Sequence, residues 1–175
     1  EAFNRKFVDE NSIRLYMVSN PKKITVKNLS ITTVEVSNHP VKEMGKRKID
    51  VDGNFYISGE DAQSIKEGEQ IRLLGLGNIL ITKQGEEIEG EYVKDGDIKS
   101  IPKIQWVSQK TAHKIKMIIP KILFIGEDFN EDSLEERDVY CEPHYLQLKD
   151  GEEIQFIRFG YCRKDSQNQA IFTHK

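Results

Sequence analysis

Residues 154–163 read IQFIRFGYCR and place Gln155, Arg158 and Arg163 inside a strand-like apolar stretch. A glutamine carries both a donor and an acceptor, and an arginine guanidinium donates in a planar fork and also stacks on rings. Such side chains either lie on a solvated strand face or line a pocket that recognises a polar group. The chemistry that these residue types support is binding.

Sequence motifs for catalysis are absent. The chain has no phosphate loop, nucleophile elbow, HExxH motif or paired carboxylates on one element, and the lone GLG at 75–77 is a weak match to a nucleotide loop. The histidines and cysteines lack metal-ligand spacing; they are His39, His113, His144, His174, Cys141 and Cys162. We therefore predict a binding module with no catalytic residues, no metal site and two free thiols.

The charge of the chain is segregated. The net charge of −3 argues weakly against non-specific binding of nucleic acid. Residues 1–48 and 101–125 are nevertheless basic, whereas residues 49–100 and 126–175 are acidic. The basic stretches form a positive face if they meet in space, and otherwise they are solvated surface. The sequence predicts no membrane span and no signal peptide.

Short strands recur every eight to twelve residues with turns between them, and no long helical period is present. This pattern predicts an all-β protein built from barrels or sandwiches, in one large domain or two small ones. A short helical turn is expected from Ser58 or Gly59 to Gly68. We place a domain boundary in the turn-rich stretch near residue 100.

Several local features are also predicted. Residues 14–18 and 70–82 each resemble a strand, and Gly75 and Gly77 suggest bulges or barrel bends in the second. Residues 145–165 resemble a hairpin that turns at 149–151, and the acidic stretch 125–145 resembles a loop. Three single-residue predictions complete the set: His39 bonds to its neighbours in a loop, Trp106 lies in the core, and Pro120 marks a sheet edge or a break.

Six segments, in order, resemble one known family. They are RLYMVSNPKKITVKN, NHPVKEMGKRKI, GEQIRLLGLGNILI, KIQWVS, GEEIQFIRFGYCRKD and FTHK. Their order is similar to the C-terminal anticodon-binding region of archaeal glutamyl-tRNA synthetases and of glutaminyl-tRNA synthetases. The resemblance spans nearly the whole chain. It implies two antiparallel six-stranded β-barrels, similar to a ribosomal protein that binds 5S rRNA.

The resemblance also implies a domain order. Residues 1–12 are expected to be the end of an upstream helical subdomain, residues 13–100 the proximal barrel and residues 101–175 the distal barrel. The last strands, near 154–175, are expected to be able to return to the first barrel. The chain is then a fragment whose catalytic domain, with its ATP-binding motifs, lies upstream.

Matched motifs imply roles in reading the anticodon. Arg14 and Arg72 correspond to arginines near the anticodon bases, Arg72 being close to the first base. Gln155 corresponds to a glutamine that contacts the middle uracil, and Arg158 to an arginine in the same final hairpin. Unstacked bases of single-stranded RNA are read by stacking and by hydrogen bonds to their edges, which these side chains provide.

Two departures favour the glutamyl over the glutaminyl version. Leu74 stands where glutaminyl enzymes have a second arginine, and Gln63-Ser64 replaces a Lys-Arg pair. That pair helps to read the third anticodon base, so the sequence assigns no residue to this contact. The C-terminal FTHK is also similar to the C-terminal residues of the glutamyl enzymes.

The implied partner is tRNA-Glu, together with tRNA-Gln where no glutaminyl enzyme exists. Expected phosphate contacts are Lys42, Lys46, Arg47, Lys48 and the acid-free stretch 101–125. The chain itself needs no cofactor, while the parent enzyme uses ATP and Mg2+. We expect a cytoplasmic monomer that binds neither DNA nor membranes. Three alternatives stay open: the equivalent region of a glutaminyl-tRNA synthetase, a ribosomal rRNA-binding barrel, and a protein-interaction barrel whose acidic loops at 86–97 and 127–138 bind a basic protein.

Overall fold

A computed structural model describes residues 8–9, 11–94 and 100–175. In chain order its strands are β1 (Ile13–Leu15), β2 (Met17–Ser19), β3 (Lys22–Lys27), β4 (Thr33–Ser37), β5 (Lys46–Asp50), β6 (Asn54–Ile57), β7 (Gln70–Leu73), β8 (Gly77–Lys83), β9 (Ile88–Val93), β10 (Lys103–Ile104), β11 (Trp106–Ser108), β12 (His113–Pro120), β13 (Phe124–Ile125), β14 (Asp128–Phe129), β15 (Leu134–Cys141), β16 (Glu153–Phe156), β17 (Gly160–Ser166) and β18 (Gln169–His174). The helices are α1 (Gly59–Ser64) and a 3₁₀ turn, Pro143–Gln147. None of these described helices is long and apolar enough to cross a membrane.

The strands form two seven-stranded, barrel-like sheets. The first sheet has the order β10-β7-β8-β9-β3-β6-β11, and the second has the order β1-β16-β17-β18-β12-β15-β2. The two-stranded ribbons β4–β5 and β13–β14 accompany them. Each sheet encloses its own cluster of buried apolar side chains. The predicted all-β, two-barrel fold is confirmed, although each sheet has seven strands where the resemblance implies six, and each includes parallel pairs.

Residues 13–19 form a wall that the two cores share. Leu15 and Met17 are buried in the second core, whereas Tyr16 and Val18 are buried in the first. Successive side chains of an extended chain point to opposite faces, so one short segment can serve both cores. The extended stretch predicted at residues 14–18 is therefore present, although Tyr16 separates β1 from β2.

The barrels exchange strands at their border. Strands β10 and β11 join the first sheet, while β1 and β2 join the second, so the hydrogen-bonded sheets do not divide at residue 100. The final strands, β16 to β18, pair within the second sheet. The expected domain boundaries stay a prediction about folding units, and most of the helical remnant expected at 1–12 lies outside the described residues.

Two turns differ from the expectations. The stretch 70–82 is a hairpin of β7 and β8, and Gly75 has a φ of 76° at its turn. The hairpin predicted at 145–165 turns between β16 and β17, at 157–159, and not at 149–151, which instead leads from the 3₁₀ turn into β16. Gly and Asp-Gly signals mark a turn without fixing which strands flank it, and that is why both assignments were wrong.

The acidic stretch 125–145 is also more ordered than a loop. It contains β15, which pairs along its whole length with β12. Lys114 Nζ is 2.7 Å from Asp138 Oδ2 and Lys116 Nζ is 2.6 Å from Glu136 Oε2, so the acidic side chains face lysines across the ladder. Opposite charges on paired strands stabilise a sheet. Composition alone does not show this pairing, so it assigned the acidic stretch to a loop.

Other local predictions are confirmed. Ser58 caps α1 by accepting a hydrogen bond from the Asp61 N–H. Trp106 is fully buried, and its Nε1 donates to the Leu74 carbonyl at 2.8 Å. Strand β12 ends at Pro120. Cys141 and Cys162 are free, buried thiols.

Candidate functional site

A row of four polar side chains crosses the second sheet. Arg14 on β1 pairs with Gln155 on β16, Gln155 pairs with Tyr161 on β17, and Tyr161 pairs with His174 on β18. Residues paired directly across strands point to the same face, so these four residues, which we call the row, share one surface. The Tyr161 and His174 rings stack with centroids 4.6 Å apart. The row lies on the face opposite the buried core that contains Ile154 and Phe156.

Three buried atoms of the row have no hydrogen-bond partner among the described residues: Arg14 Nε, Gln155 Oε1 and His174 Nε2. A buried polar atom left unpaired costs about 1–3 kcal/mol, so folded proteins rarely retain one without a reason. Three of them on one surface indicate a place where a polar ligand supplies the missing partners. Arg14 Nε is a donor and Gln155 Oε1 is an acceptor, so this place offers both kinds of hydrogen-bonding atom.

Asp9 closes one side of the row. Its Oδ1 accepts hydrogen bonds from Tyr161 Oη at 2.5 Å and from Arg14 Nη2 at 3.1 Å. The Tyr161 hydrogen bond is the largest cause that lowers the pKa of the Asp9 carboxyl, and burial opposes it ahead of the smaller lowering contributions of Arg14. The carboxylate therefore fixes the tyrosine hydroxyl and one end of the Arg14 guanidinium, while Arg14 Nε keeps its donor capacity.

His39 holds the backbone of Asp9. Its Nδ1 accepts from the N–H groups of Val41 and Lys42 at 3.2 and 2.9 Å. Because Nδ1 is an acceptor, the ring proton lies on Nε2, which donates to the Asp9 carbonyl at 3.0 Å. The predicted loop role of His39 is confirmed, and its additional effect is to anchor the residue that closes the row.

Arg72 lies on the first sheet and is therefore not a member of the row. It pairs with Lys103 on β10 and with Asn78 on β8. Its Nη1 donates to Asn78 Oδ1 at 2.8 Å, and the residue is half-buried. The structure therefore does not bring Arg72 together with Arg14 and Gln155, but places it, beside a second cation, on the other barrel.

Arg158 occupies the turn between β16 and β17 with a φ of 63°. Its Nη1 is 2.9 Å from both carboxylate oxygens of Asp61 on α1, and its side chain is 49% exposed. The ion pair joins the two barrels. Arg158 therefore lies outside the row, although it is only three residues from Gln155.

The expected phosphate contacts divide into two kinds. Lys42, Lys46 and Lys48 are exposed, and Lys46 Nζ is 2.9 Å from Glu35 Oε1. Arg47 differs, because its side chain is 1% exposed and two of its nitrogens donate to Glu142, at 2.6 and 2.8 Å. Its expected contact with phosphate is contradicted by this burial. The alternation of KRKID contains the signal, since Arg47 shares a strand face with the buried Ile49.

Sequence reasoning did not identify Tyr161 and His174 as site residues. Both lie in segments that carried the resemblance, GYCR and FTHK. Alternation along β17 places Tyr161 on the face opposite Cys162, but only the strand pairing shows that it neighbours Gln155 and His174. Cross-strand neighbours of this kind are not encoded in the spacing of a single segment.

The described residues contain no group of three or more His, Cys, Asp or Glu side chains that could hold a metal ion. Burial raises the pKa of the Cys162 thiol to about 12 and that of Cys141 further. Thiols with raised pKa values are poor nucleophiles, so these cysteines act as packing residues. The chemistry of the described surface is hydrogen bonding, stacking and charge.

Comparison with known proteins gives matches across the chain. The family described as "tRNA synthetases class I (E and Q), anti-codon binding domain" matches residues 12–100, and a second domain with the same description matches residues 103–165. The chain is 71% identical over its full length to a glutamate–tRNA ligase of Nitrosopumilus maritimus. It is 47% identical to a glutamate–tRNA ligase of Cenarchaeum symbiosum over 99% of the chain, and 27% identical to one of Methanocaldococcus jannaschii over 98%.

The chain spans only part of these relatives. It covers 31% of the length of each of the first two and 29% of the third. The similarity is therefore to one region of a longer protein.

Proposed function

Because the chain belongs to the anticodon-binding domains of the class I tRNA synthetases for glutamate and glutamine, we propose that it is the anticodon-recognition region of a glutamate–tRNA ligase. Its substrate is tRNA-Glu. The joining of glutamate to the tRNA, with ATP and Mg2+, belongs to the part of the parent protein outside this chain. The parent acts in the cytoplasm, as a monomer.

The row carries this proposal. A uracil presents acceptors at O2 and O4 on either side of the N3–H donor. Arg14 Nε and Gln155 Oε1 are a buried donor and a buried acceptor on neighbouring strands, both unpaired within the described part of the chain, so they complement that edge. The partly exposed His174 ring, which stacks on the buried Tyr161 ring, extends the surface on which a splayed base lies. We assign the middle uracil of the anticodon to this place, with Gln155 as its reader.

The remaining predicted contacts are of two kinds: contacts with bases, which give specificity, and contacts with phosphates, which give affinity. Arg72 is proposed to contact the first anticodon base, since Asn78 holds its guanidinium through Nη1 and the fork carries further donors. Arg158 is proposed as a further base contact at the border of the barrels. Lys42, Lys46 and Lys48 are proposed to contact phosphates, which adds affinity and salt dependence without adding base preference.

The experiment is a binding titration of this chain with a tRNA-Glu transcript at low and moderate salt. A parallel titration uses the same transcript with its middle anticodon uracil replaced by cytosine. We expect affinity to fall with salt and to fall about tenfold with the base change, since one good base contact contributes about 1–3 kcal/mol. Equal binding of the two transcripts would contradict base reading and leave only interactions with the tRNA backbone.

A variant separates the phosphate contacts from the base contacts. Replacing Lys42, Lys46 and Lys48 by glutamine should weaken both transcripts equally. The slope of log K against log salt should become shallower by up to about one unit for each phosphate that a lysine no longer neutralises. The preference for uracil should persist. A triple variant that also shows no uracil preference would mean that these lysines position the bases.

A further inference from the structure

The loop that joins β4 to β5, residues 38–45, is closed by its own hydrogen bonds. The Asn38 N–H donates to the Gly45 carbonyl at 3.0 Å, and Asn38 Nδ2 donates to the Met44 carbonyl at 3.1 Å. Asn38 is 8% exposed and His39 is 7% exposed, so both residues are packed into the protein. A loop that is closed at its base and anchored by buried side chains holds its backbone in one conformation.

This loop holds the row from the side of the first barrel. The Asn38 carbonyl accepts from the Arg14 N–H at 2.7 Å, and His39 Nε2 donates to the Asp9 carbonyl at 3.0 Å. The strands that flank the loop, β4 and β5, contribute buried side chains to the first core. A segment that packs on one barrel therefore fixes backbone that belongs to the binding surface of the other.

The two ring nitrogens of His39 have separate tasks. Nδ1 accepts from the N–H groups of Val41 and Lys42 and so shapes the loop, whereas Nε2 contacts Asp9 outside the loop. An asparagine at this position can perform the first task, because its side-chain oxygen accepts from the N–H two residues further on. Its side chain is too short for the second task, so the two tasks can be separated by substitution.

Asp9 links the loop to side chains of the row. Its Oδ1 accepts from Tyr161 Oη and from Arg14 Nη2, and Arg14 Nε is a buried donor that no described residue pairs. Groups that bind a ligand must be held to within about 0.5 Å, which depends on the residues that support them. A shift of Asp9 would therefore release the Tyr161 hydroxyl and one end of the Arg14 guanidinium together.

We propose that His39 is a positioning residue for base reading, which sets the preference of the row for uracil through Asp9 and without touching the base. The ring is buried and uses both of its nitrogens within the protein, so its hydrogen-bonding atoms are not available to RNA. The inference rests on the proposed function, because it takes the row as the reader of the middle anticodon base. It adds that reading by the second barrel depends on a loop that packs with the first.

The variant His39→Asn removes one task of the ring, and His39→Ala removes both. We expect His39→Asn to keep the urea unfolding midpoint close to that of the natural chain. Its preference for the uracil transcript over the cytosine transcript should fall from about tenfold to about threefold or less. His39→Ala should lower both the midpoint and the preference.

The same titrations separate failure of this inference from failure of the proposed function. Full uracil preference in His39→Asn, beside full preference in the natural chain, overturns the positioning role alone. A natural chain that binds the two transcripts equally overturns the proposed function, and the positioning role with it.

His113→Asn is the matched control. His113 Nε2 also contacts a backbone carbonyl, that of Gln167 at 2.7 Å. This contact lies at the turn between β17 and β18, at the end of these strands opposite Tyr161 and His174. The control should keep the uracil preference. A loss equal to that in His39→Asn would mean that removing any such contact has this effect, and it would overturn the assignment.

The Asp9 carboxyl reports its own displacement. The hydrogen bond from Tyr161 is the largest cause that lowers its pKa. A displaced Asp9 loses this hydrogen bond, so an NMR titration should find a higher Asp9 pKa in His39→Asn than in the natural chain or in His113→Asn. An unchanged pKa would show that Asp9 keeps its place without His39 and would overturn the inference.

A double-variant cycle tests the route through Asp9. Asp9→Ala removes the carboxylate that connects His39 to the row, at a position whose side chain is 40% exposed. If His39 acts through this carboxylate, Asp9→Ala combined with His39→Asn should lose no more uracil preference than Asp9→Ala alone. Losses that add would mean that His39 acts on base reading independently of Asp9, and they would overturn the proposed route.

Discussion

Two polar regions begin two residues apart along the chain and differ in how their hydrogen bonds are satisfied. The row begins at Arg14 and contains three buried atoms that no described residue pairs. The second region, which we call the junction, is made of Tyr16, Arg47 and Glu142. There Glu142 accepts from Arg47 Nε and Nη2 at 2.6 and 2.8 Å and from the Tyr16 N–H at 2.6 Å.

The junction is complete without a ligand. Arg47 Nη1 donates to the Ser37 carbonyl at 2.9 Å, and its guanidinium lies 5.4 Å from the centre of the Tyr16 ring. Burial raises the pKa of the Glu142 carboxyl, while the hydrogen bonds and charge of Arg47 oppose that rise. Charge in the junction therefore holds two barrels together, whereas polarity in the row is available for recognition. Satisfaction of hydrogen bonds, and not charge, distinguishes the two regions.

The largest effect is expected from breaking the junction. Glu142→Ala leaves the Arg47 guanidinium buried without its counter-charge, which costs about 3–5 kcal/mol in the free energy of unfolding. Urea unfolding of the chain measures this decrease. The double variant Arg47→Met with Glu142→Leu should recover much of it, because it removes both charges. A single variant within about 1 kcal/mol of the natural chain would mean that the junction is not a structural region.

Arg47 also shows where the sequence was insufficient. Charge counted along the chain groups Lys42, Lys46, Arg47 and Lys48 into one basic face. Strand periodicity contradicts this for Arg47 alone, since it shares a face with Ile49. Its partner Glu142 is 95 residues away. Local pattern can therefore show that a residue is buried, but not which residue compensates for its charge.

The next largest effect is expected from a substitution in the row. Gln155→Leu removes a buried oxygen that no described residue pairs, so the free energy of unfolding should stay the same or rise. The preference for a middle uracil should fall by about 1–3 kcal/mol. Parallel unfolding and tRNA titrations measure the two quantities. Gln169→Leu, whose side chain contacts Asp165 at the surface, is the control and should change neither greatly.

A decrease of stability in Gln155→Leu with unchanged uracil preference would reverse the assignment. Gln155 would then behave like a member of the junction, contributing to the fold. The comparison between the two regions would fail at its central residue.

The fold itself was largely predictable from local signals. Alternating apolar residues indicated the strands, and Ser58 indicated the start of α1. The shared wall at residues 13–19 was not predictable, because alternation shows two faces without showing that each meets a different core. For the same reason Gln155 could be identified by motif, while its neighbours Tyr161 and His174 required the strand register.

A smaller effect is expected at the closing side of the row. Tyr161→Phe removes the hydrogen bond to Asp9, which should cost about 1 kcal/mol or less because Asp9 is partly exposed. The pKa of the Asp9 carboxyl should rise, since this hydrogen bond is the largest cause of its lowering. An NMR titration of Asp9 measures the shift. An unchanged pKa would show that Arg14 alone fixes the carboxylate.

The smallest effect is expected in the pH dependence of stability, which should involve the junction and not the row. Burial, and then the charge of Arg47, lower the pKa of His144, which lies beside the junction. The unfolded chain therefore binds more protons than the folded chain just below the ordinary histidine pKa of 6.5, so stability rises with pH through that window and is lost as pH falls. Unfolding midpoints measured at about pH 5.5 and about pH 7.5 should differ in the natural chain and differ less in His144→Gln. A difference that persists in the variant would place the titrating group elsewhere. Because His144 lies outside the row, the same substitution should leave the uracil preference unchanged. A pH response of the unfolding midpoint without a pH response of the base preference would therefore separate the junction from the row.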